Sequence, residues 1–229
     1  MEGVVGFLFR FDLLGVDSYA SKLFVCNAER YIGFQPFAEF LFGFFPCNMF
    51  FFNFVMFFCF LAFLFACWLL VRDKRVVFAL VCLSPIVLFE FSKFENELFA
   101  YPLIIFAFYF FSRKDYLYGF LACVVAGGFW LVAFVGVAYL FPPLVFGLFL
   151  FPLSIFGNSA VESWFGFGFY TLFGWLLVIP FIFRLDLKKV LGFLCFFVLF
   201  LFSVKFWVFL VPYILFGIKD LLELMEEIK

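Results

Sequence analysis

Residues 48–75 read NMFFFNFVMFFCFLAFLFACWLLVRDKR. From Asn48 to Val71 there is no charge, and Arg72-Asp73-Lys74-Arg75 then ends the run abruptly. About 20 apolar residues cross the hydrocarbon core of a bilayer as a helix, so this stretch predicts a membrane span stopped by a basic turn. The rest of the chain has the same character. Hydrophobic residues make up 69% of it, charged residues only 14%, and mean hydropathy is +1.24. Soluble domains carry roughly 25% charged residues, and a water-facing surface cannot be assembled from so few. The 50 phenylalanines read as composition, since Phe replaces Leu at little cost in lipid, and not as a cofactor box.

Working outward, further apolar runs follow at Val76–Phe89, with Pro85 inside it, and at Leu98–Ser112, closed by Arg113-Lys114. Next come Leu117–Leu140, with Gly127-Gly128 inside and Pro142-Pro143 after it, and the short run Leu144–Phe156. Phe165–Phe183 ends at Arg184 with Lys188-Lys189 behind it. Val190–Gly217 is one long helix or two short ones broken near Lys205, and residues 218–229 read as an amphipathic helix with Leu221, Leu222, Met225 and Ile228 on one face. The expected fold is all-α, a polytopic transmembrane bundle of about 6–8 membrane helices. It forms a single domain: 1–47 as an outer-face loop with short helices, 48–217 as membrane helices, and 218–229 as the amphipathic end. Residues 3–9 are apolar, but Arg10 and Asp12 end the run too early for a signal-peptide core or a span.

Cationic turns sit on the cytoplasmic side of membrane proteins. The clusters at 72–75, 113–114 and 184–189 therefore share that side, and the breaks holding Asp17, Glu90, Glu95 and Glu97 fall on the other. At about 1.5 Å per residue the two hairpin helices on either side of residues 90–97 cover only about 21 to 23 Å. The hydrocarbon core is roughly 30 Å thick, so the acidic tip is expected to sit below the outer surface.

Function classes narrow by exclusion. The net charge of −1 argues against nucleic acid as a partner. The chain has no histidine, which removes Ser-His-Asp and Cys-His catalysis, His-held haem and nearly all zinc enzymes. No metal site is expected from the motifs. The seven cysteines lack CxxC spacing and sit mostly in apolar runs as small hydrophobes; Cys26 and Cys47 alone could share an exposed face and pair.

Two constellations remain. The first is Gly15-Val-Asp17-Ser-Tyr19-Ala20, followed by Asn27-Ala-Glu29-Arg30-Tyr31 and Gly33-Phe-Gln35-Pro36-Phe37. The second is Glu90-Phe-Ser-Lys93-Phe-Glu95-Asn96-Glu97. Carboxylates so close at shallow membrane depth repel one another, and either Lys93 or a divalent cation would relieve this. The bland readings are a solvated loop for the first and a polar hairpin tip for the second.

Taken in order, these motifs resemble the GT-C superfamily of integral-membrane glycosyltransferases, in particular the GPI mannosyltransferase I type that uses dolichyl-phosphate-mannose. Asp17-Ser-Tyr19 is similar to the first-loop Asp motif, and Arg30-Tyr31 with Gln35-Pro36-Phe37 to the Arg-Tyr…Pro-Leu stretch. Leu83-Ser84-Pro85, Glu95-Asn96-Glu97-Leu98 and Arg113-Lys114 resemble the Ser-Pro, Asn-Glu and basic-turn sequence, and Lys205-Phe-Trp207…Pro212-Tyr213 resembles the Trp-Tyr…Pro ending. The likeness spans roughly residues 12–140, with a weaker end, and reads as a short or truncated member.

The resemblance implies a GT-C-like core and transfer of a mannose-like sugar from a polyprenyl- or dolichyl-phosphate donor at the non-cytoplasmic face, with inversion. Asp17 would be the general base, with Glu97, or Glu95, positioning the acceptor. Arg30, Lys93 or Lys205 would hold the donor phosphate, and Tyr19, Glu29 and Asn96 complete the implied substrate contacts. The implied partners are the bilayer, the lipid-linked sugar, a lipid, glycan or protein acceptor, and a membrane protein subunit. The expected location is a prokaryotic plasma membrane rather than the endoplasmic reticulum. The alternatives are a non-catalytic GT-C-like subunit or scaffold and, less favoured, a small transporter.

Overall fold

A computed structural model describes residues 41, 44, 46–92, 94, 95, 97–130, 133, 167–202 and 206–228. The chain is all-helical, with no strand among the described residues. The elements are α1 (Met49–Val71), α2 (Lys74–Leu83), α3 (Pro85–Phe91), α4 (Glu97–Ser112), α5 (Tyr116–Phe129), α6 (Phe167–Leu176), α7 (Ile179–Ile182), α8 (Leu187–Phe202) and α9 (Trp207–Glu227).

α1 begins where Asn48, in extended backbone, accepts a hydrogen bond from the Phe50 N–H at 2.8 Å. This satisfies one of the donors that a helix start leaves over. α1 ends at Arg72, whose backbone is left-handed (φ 56°, ψ 25°) and whose N–H donates to the Trp68 carbonyl at 2.6 Å. Asp73 then caps α2 by accepting from the Arg75 N–H at 2.8 Å. Two residues thus reverse the chain. Lys114 (φ 65°) takes the same left-handed conformation between α4 and α5. For a residue with a Cβ this conformation costs about 1–2 kcal/mol.

The run 76–89, expected as one helix, is two. Pro85 has no N–H to give and crowds the preceding turn, so α2 stops at Leu83 and α3 restarts at Pro85. α6 repairs the break. Thr171 Oγ1 accepts from the Ile86 N–H at 3.0 Å, and Trp175 Nε1 donates to Ser84 Oγ at 2.6 Å. Gly174, on the same turn of α6, lets its backbone come so near that an added Cβ would fall 2.1 Å from the Leu83 carbonyl oxygen. Run 165–183 is likewise divided, with Pro180 near the start of α7. The expected amphipathic tail is not a separate element, because α9 runs through Gly217 to Glu227 without a stop. Gly217 lies against Val178 and Ile182 of the α6–α7 segment, where a Cβ would be 2.6 Å from Val178 Cγ1, so the glycine inside the helix serves close packing.

Ring contacts give the helix directions. Phe52 meets Phe94 at 4.7 Å and Phe65 meets Phe106 at 6.3 Å, so α1 and α4 run the same way. Tyr101 meets Trp207 at 5.3 Å and Phe108 meets Tyr213 at 6.2 Å, which aligns α9 with them. α5 runs opposite to α4, with Phe99 on Phe129 at 5.0 Å and Phe111 near Tyr116 at 6.4 Å. α8 runs opposite to α9, with Phe196 on Phe209 at 5.3 Å and Phe193 near Tyr213 at 6.4 Å. The basic turns after α1, α4 and α7 therefore gather at one end of the bundle, and the α3–α4 break lies at the other.

One described helix, α1, is long and apolar enough to cross a membrane by itself; α4 and α5 are shorter apolar helices. α1 is apolar on both sides. Phe52, Met56, Phe63 and Cys67 are buried, while Phe50, Phe54, Phe58 and Phe65 stand outward.

Gly174→Ala should lower the melting temperature of the detergent-purified chain, at a cost of about 1–3 kcal/mol, the usual range for overpacking. Gly119→Ala should cost less, because its new methyl meets only the edge of the Phe111 ring, at 3.0 Å. Equal melting of both variants and the parent would contradict the close approach at Leu83.

Candidate functional site

α3 closes at Ser92, whose hydroxyl turns back to donate to the Phe89 carbonyl at 2.6 Å. α4 opens at Glu97, where the positive end of the helix dipole favours a carboxylate. Between these helices Phe94 and Glu95 are buried. Glu90, Glu95 and Glu97 are only 2%, 3% and 8% exposed.

Tyr101, one turn beyond Glu97 on α4, links them. Its hydroxyl donates to Glu90 Oε2 at 3.0 Å, and it lies within Coulombic reach of all three carboxylates. Its ring is held edge-on by Phe91 at 5.8 Å, Trp130 at 6.1 Å and Trp207 at 5.3 Å. Trp207 also meets Phe63 of α1 at 5.6 Å, so α1, α3, α4 and α9 all contribute to the wall. The Trp207 Nε1–H is buried with no hydrogen-bond partner among the described residues. Buried carboxylates need partners to be tolerated, and three of them at and beside one break make it the most polar buried region among the described residues.

Glu95 and Glu97, both expected at the site, are brought together here with Glu90, an acid to which the sequence reading assigns no role. Asp17, Tyr19, Glu29 and Arg30 lie outside the described residues, as do Lys93, Asn96 and Lys205. Tyr101 is not among the expected site residues; its one signal is a hydroxyl placed four residues, about one turn, after Glu97. Among the described residues no three His, Cys, Asp or Glu side chains are grouped to hold a metal ion, so a divalent cation beside the carboxylates has no described ligand set.

Two features distinguish the ends of the bundle. Cys47, just before α1 and at the end that holds the acidic break, is disulfide-bonded, whereas Cys59, Cys67, Cys82, Cys123 and Cys195 are free thiols. Cys26 lies outside the described residues. At the other end Arg75 pairs with Asp73 at 2.9 Å and also with Glu226 near the end of α9. The hydrogen bonds from Arg75 hold the Asp73 carboxyl below its usual range, and Lys189 does the same to Asp186.

Compared with protein-family models, curated proteins and solved structures, the chain shows no match.

Tyr101→Phe removes a donor from a buried carboxylate while keeping the ring. It should destabilise the fold by about 1–3 kcal/mol, and Glu90→Gln in that background should recover part of the loss. A double variant that melts no higher than Tyr101→Phe would show that Glu90 does not depend on the hydroxyl.

Proposed function

We propose that the chain is a multi-pass membrane protein working as a glycosyltransferase, which moves a mannose-like sugar from a polyprenyl- or dolichyl-phosphate donor to an acceptor at the non-cytoplasmic face. The observation that carries this reading is the burial of Glu90, Glu95 and Glu97 together at the end opposite the three basic turns. The outward phenylalanines of α1 suit lipid and would be a liability in water. The basic turns suit the cytoplasmic leaflet. A disulfide at Cys47 suits an oxidising compartment at the acidic end, the outer side of a prokaryotic plasma membrane on this reading.

The chemistry needs few groups. The acceptor hydroxyl gives its proton to Asp17 as its oxygen attacks the anomeric carbon, and the lipid phosphate leaves with the bonding pair. Glu97 or Glu95 orients the acceptor, and Arg30, Lys93 or Lys205 steadies the departing phosphate. Burial of all three carboxylates beside a packed aromatic wall also favours a second reading, a non-catalytic subunit in which they hold the α3–α4 turn for a partner.

Reconstituted full-length protein should transfer labelled sugar from a polyprenyl-phosphate donor, and Asp17→Asn should lower the rate about 10²–10⁴-fold, the usual worth of a positioned base. Transfer untouched by Asp17→Asn would remove Asp17 from that role. No transfer by the isolated chain, with recovery on adding a co-purifying membrane protein, would favour the subunit. After reduction, an impermeant maleimide should reach Cys47 only from the outer side; labelling from the cytoplasm would reverse the topology.

A further inference from the structure

The basic end carries more than a topological signal. Arg75, Lys189 and Lys219 are committed to ion pairs with Asp73 and Glu226, with Asp186, and with Glu223. Arg72, Lys74, Arg113, Lys114 and Arg184 are exposed and have no ion pair among the described residues. Of the acids at this end, Asp73, Asp186, Glu223 and Glu226 are already engaged, which leaves Asp115, Asp220 and Glu227 against these five cations.

Two of the five occupy costly positions. Arg72 and Lys114 are the non-glycine residues with positive φ among the described residues, each just past the end of a helix where glycine would relieve the backbone. The helix dipole welcomes a cation nearby, but glycine would serve the cap better. Keeping charge at two strained caps suggests that the charge has a partner outside the chain.

The surroundings indicate which partner. Trp68, Phe78, Tyr116, Tyr118 and Phe183 are exposed within about two turns of these cations, an aromatic rim of the kind found at headgroup depth. The Arg113 guanidinium lies 5.0 Å over the Tyr109 ring and that of Arg184 lies 5.1 Å over Phe181, so each stem follows an apolar surface while its head stays exposed. We infer that the basic end is a binding surface for anionic phospholipid headgroups, held by Arg72, Lys74, Arg113, Lys114 and Arg184. Phosphodiesters suit guanidinium and ammonium donors, and each cation near an anionic surface strengthens association about fivefold. This rests on the chain being a membrane protein and is independent of sugar transfer.

The test is thermal melting of the full chain in neutral detergent with added phosphatidylglycerol, phosphatidylcholine or soluble glycerol phosphate. Phosphatidylglycerol should raise the midpoint, and the other two should not. R72G/K114G should melt no lower than the parent in detergent alone, since glycine relieves both caps. It should need about 25-fold more phosphatidylglycerol for half the shift, about fivefold per cation. R113Q/R184Q, which leaves both caps alone, should show the same loss and decides the matter if the glycine variant does not fold. An equal shift from phosphatidylcholine, reproduction of the shift by glycerol phosphate, or a full shift in the variants would each overturn the inference. A chain that stays monodisperse without detergent would instead overturn the membrane reading beneath it.

Discussion

A helix interrupted in apolar surroundings must find new partners for its backbone, because no water is there to supply them. At Ser84-Pro85 the partners come from a single turn of α6, with Thr171 on the Ile86 amide, Trp175 on the Ser84 hydroxyl and Gly174 allowing the approach. Without the interruption α2 and α3 would form one continuous rod. With it, α3 carries Glu90 in toward Tyr101 and the chain turns at Ser92 below an aromatic wall. The acidic break at the far end of α3 therefore depends on a hydrogen-bonded repair at that helix's start, made by residues 85 and 91 positions away in sequence.

The second organising feature is polarity between the ends. Turns separated by long stretches of chain deliver their cations to one end, and the acids of residues 90–97 are drawn inside at the other. The charges at the basic end are largely open or locally paired, where each contact is worth little. Those at the acidic end are enclosed, where the same chemistry is expensive and each hydrogen bond counts.

Legibility in the sequence followed the physics of each feature. α1 could be read almost to the residue, since a charge-free run between Asn48 and Arg72 admits few alternatives. α4 and the basic turns were legible for the same reason. The split of 76–89 was half-legible: Pro85 announces a break, but nothing local names Thr171 and Trp175 as its closers, because those contacts are non-local. Continuation of α9 past Gly217 was hidden, since the glycine that suggested a stop serves close packing on Val178 and Ile182. Glu95 and Glu97 were visible as acids among phenylalanines, yet their burial and the role of Tyr101 depend on how α9 comes to rest against α4. The tie of Tyr101 to Glu90 could not be read from spacing, as the two lie on different helices.

The unbroken length of α9 joins the two ends of the bundle. Trp207 completes the aromatic wall beside Tyr101, and Glu226, on the same rod, meets Arg75 across 151 positions of sequence. Phe63, Phe91 and Tyr101 share Trp207 as a common neighbour. A slide of that rod along its axis would therefore disturb the enclosed wall and the cationic turn together, so the two ends are mechanically coupled through a single helix.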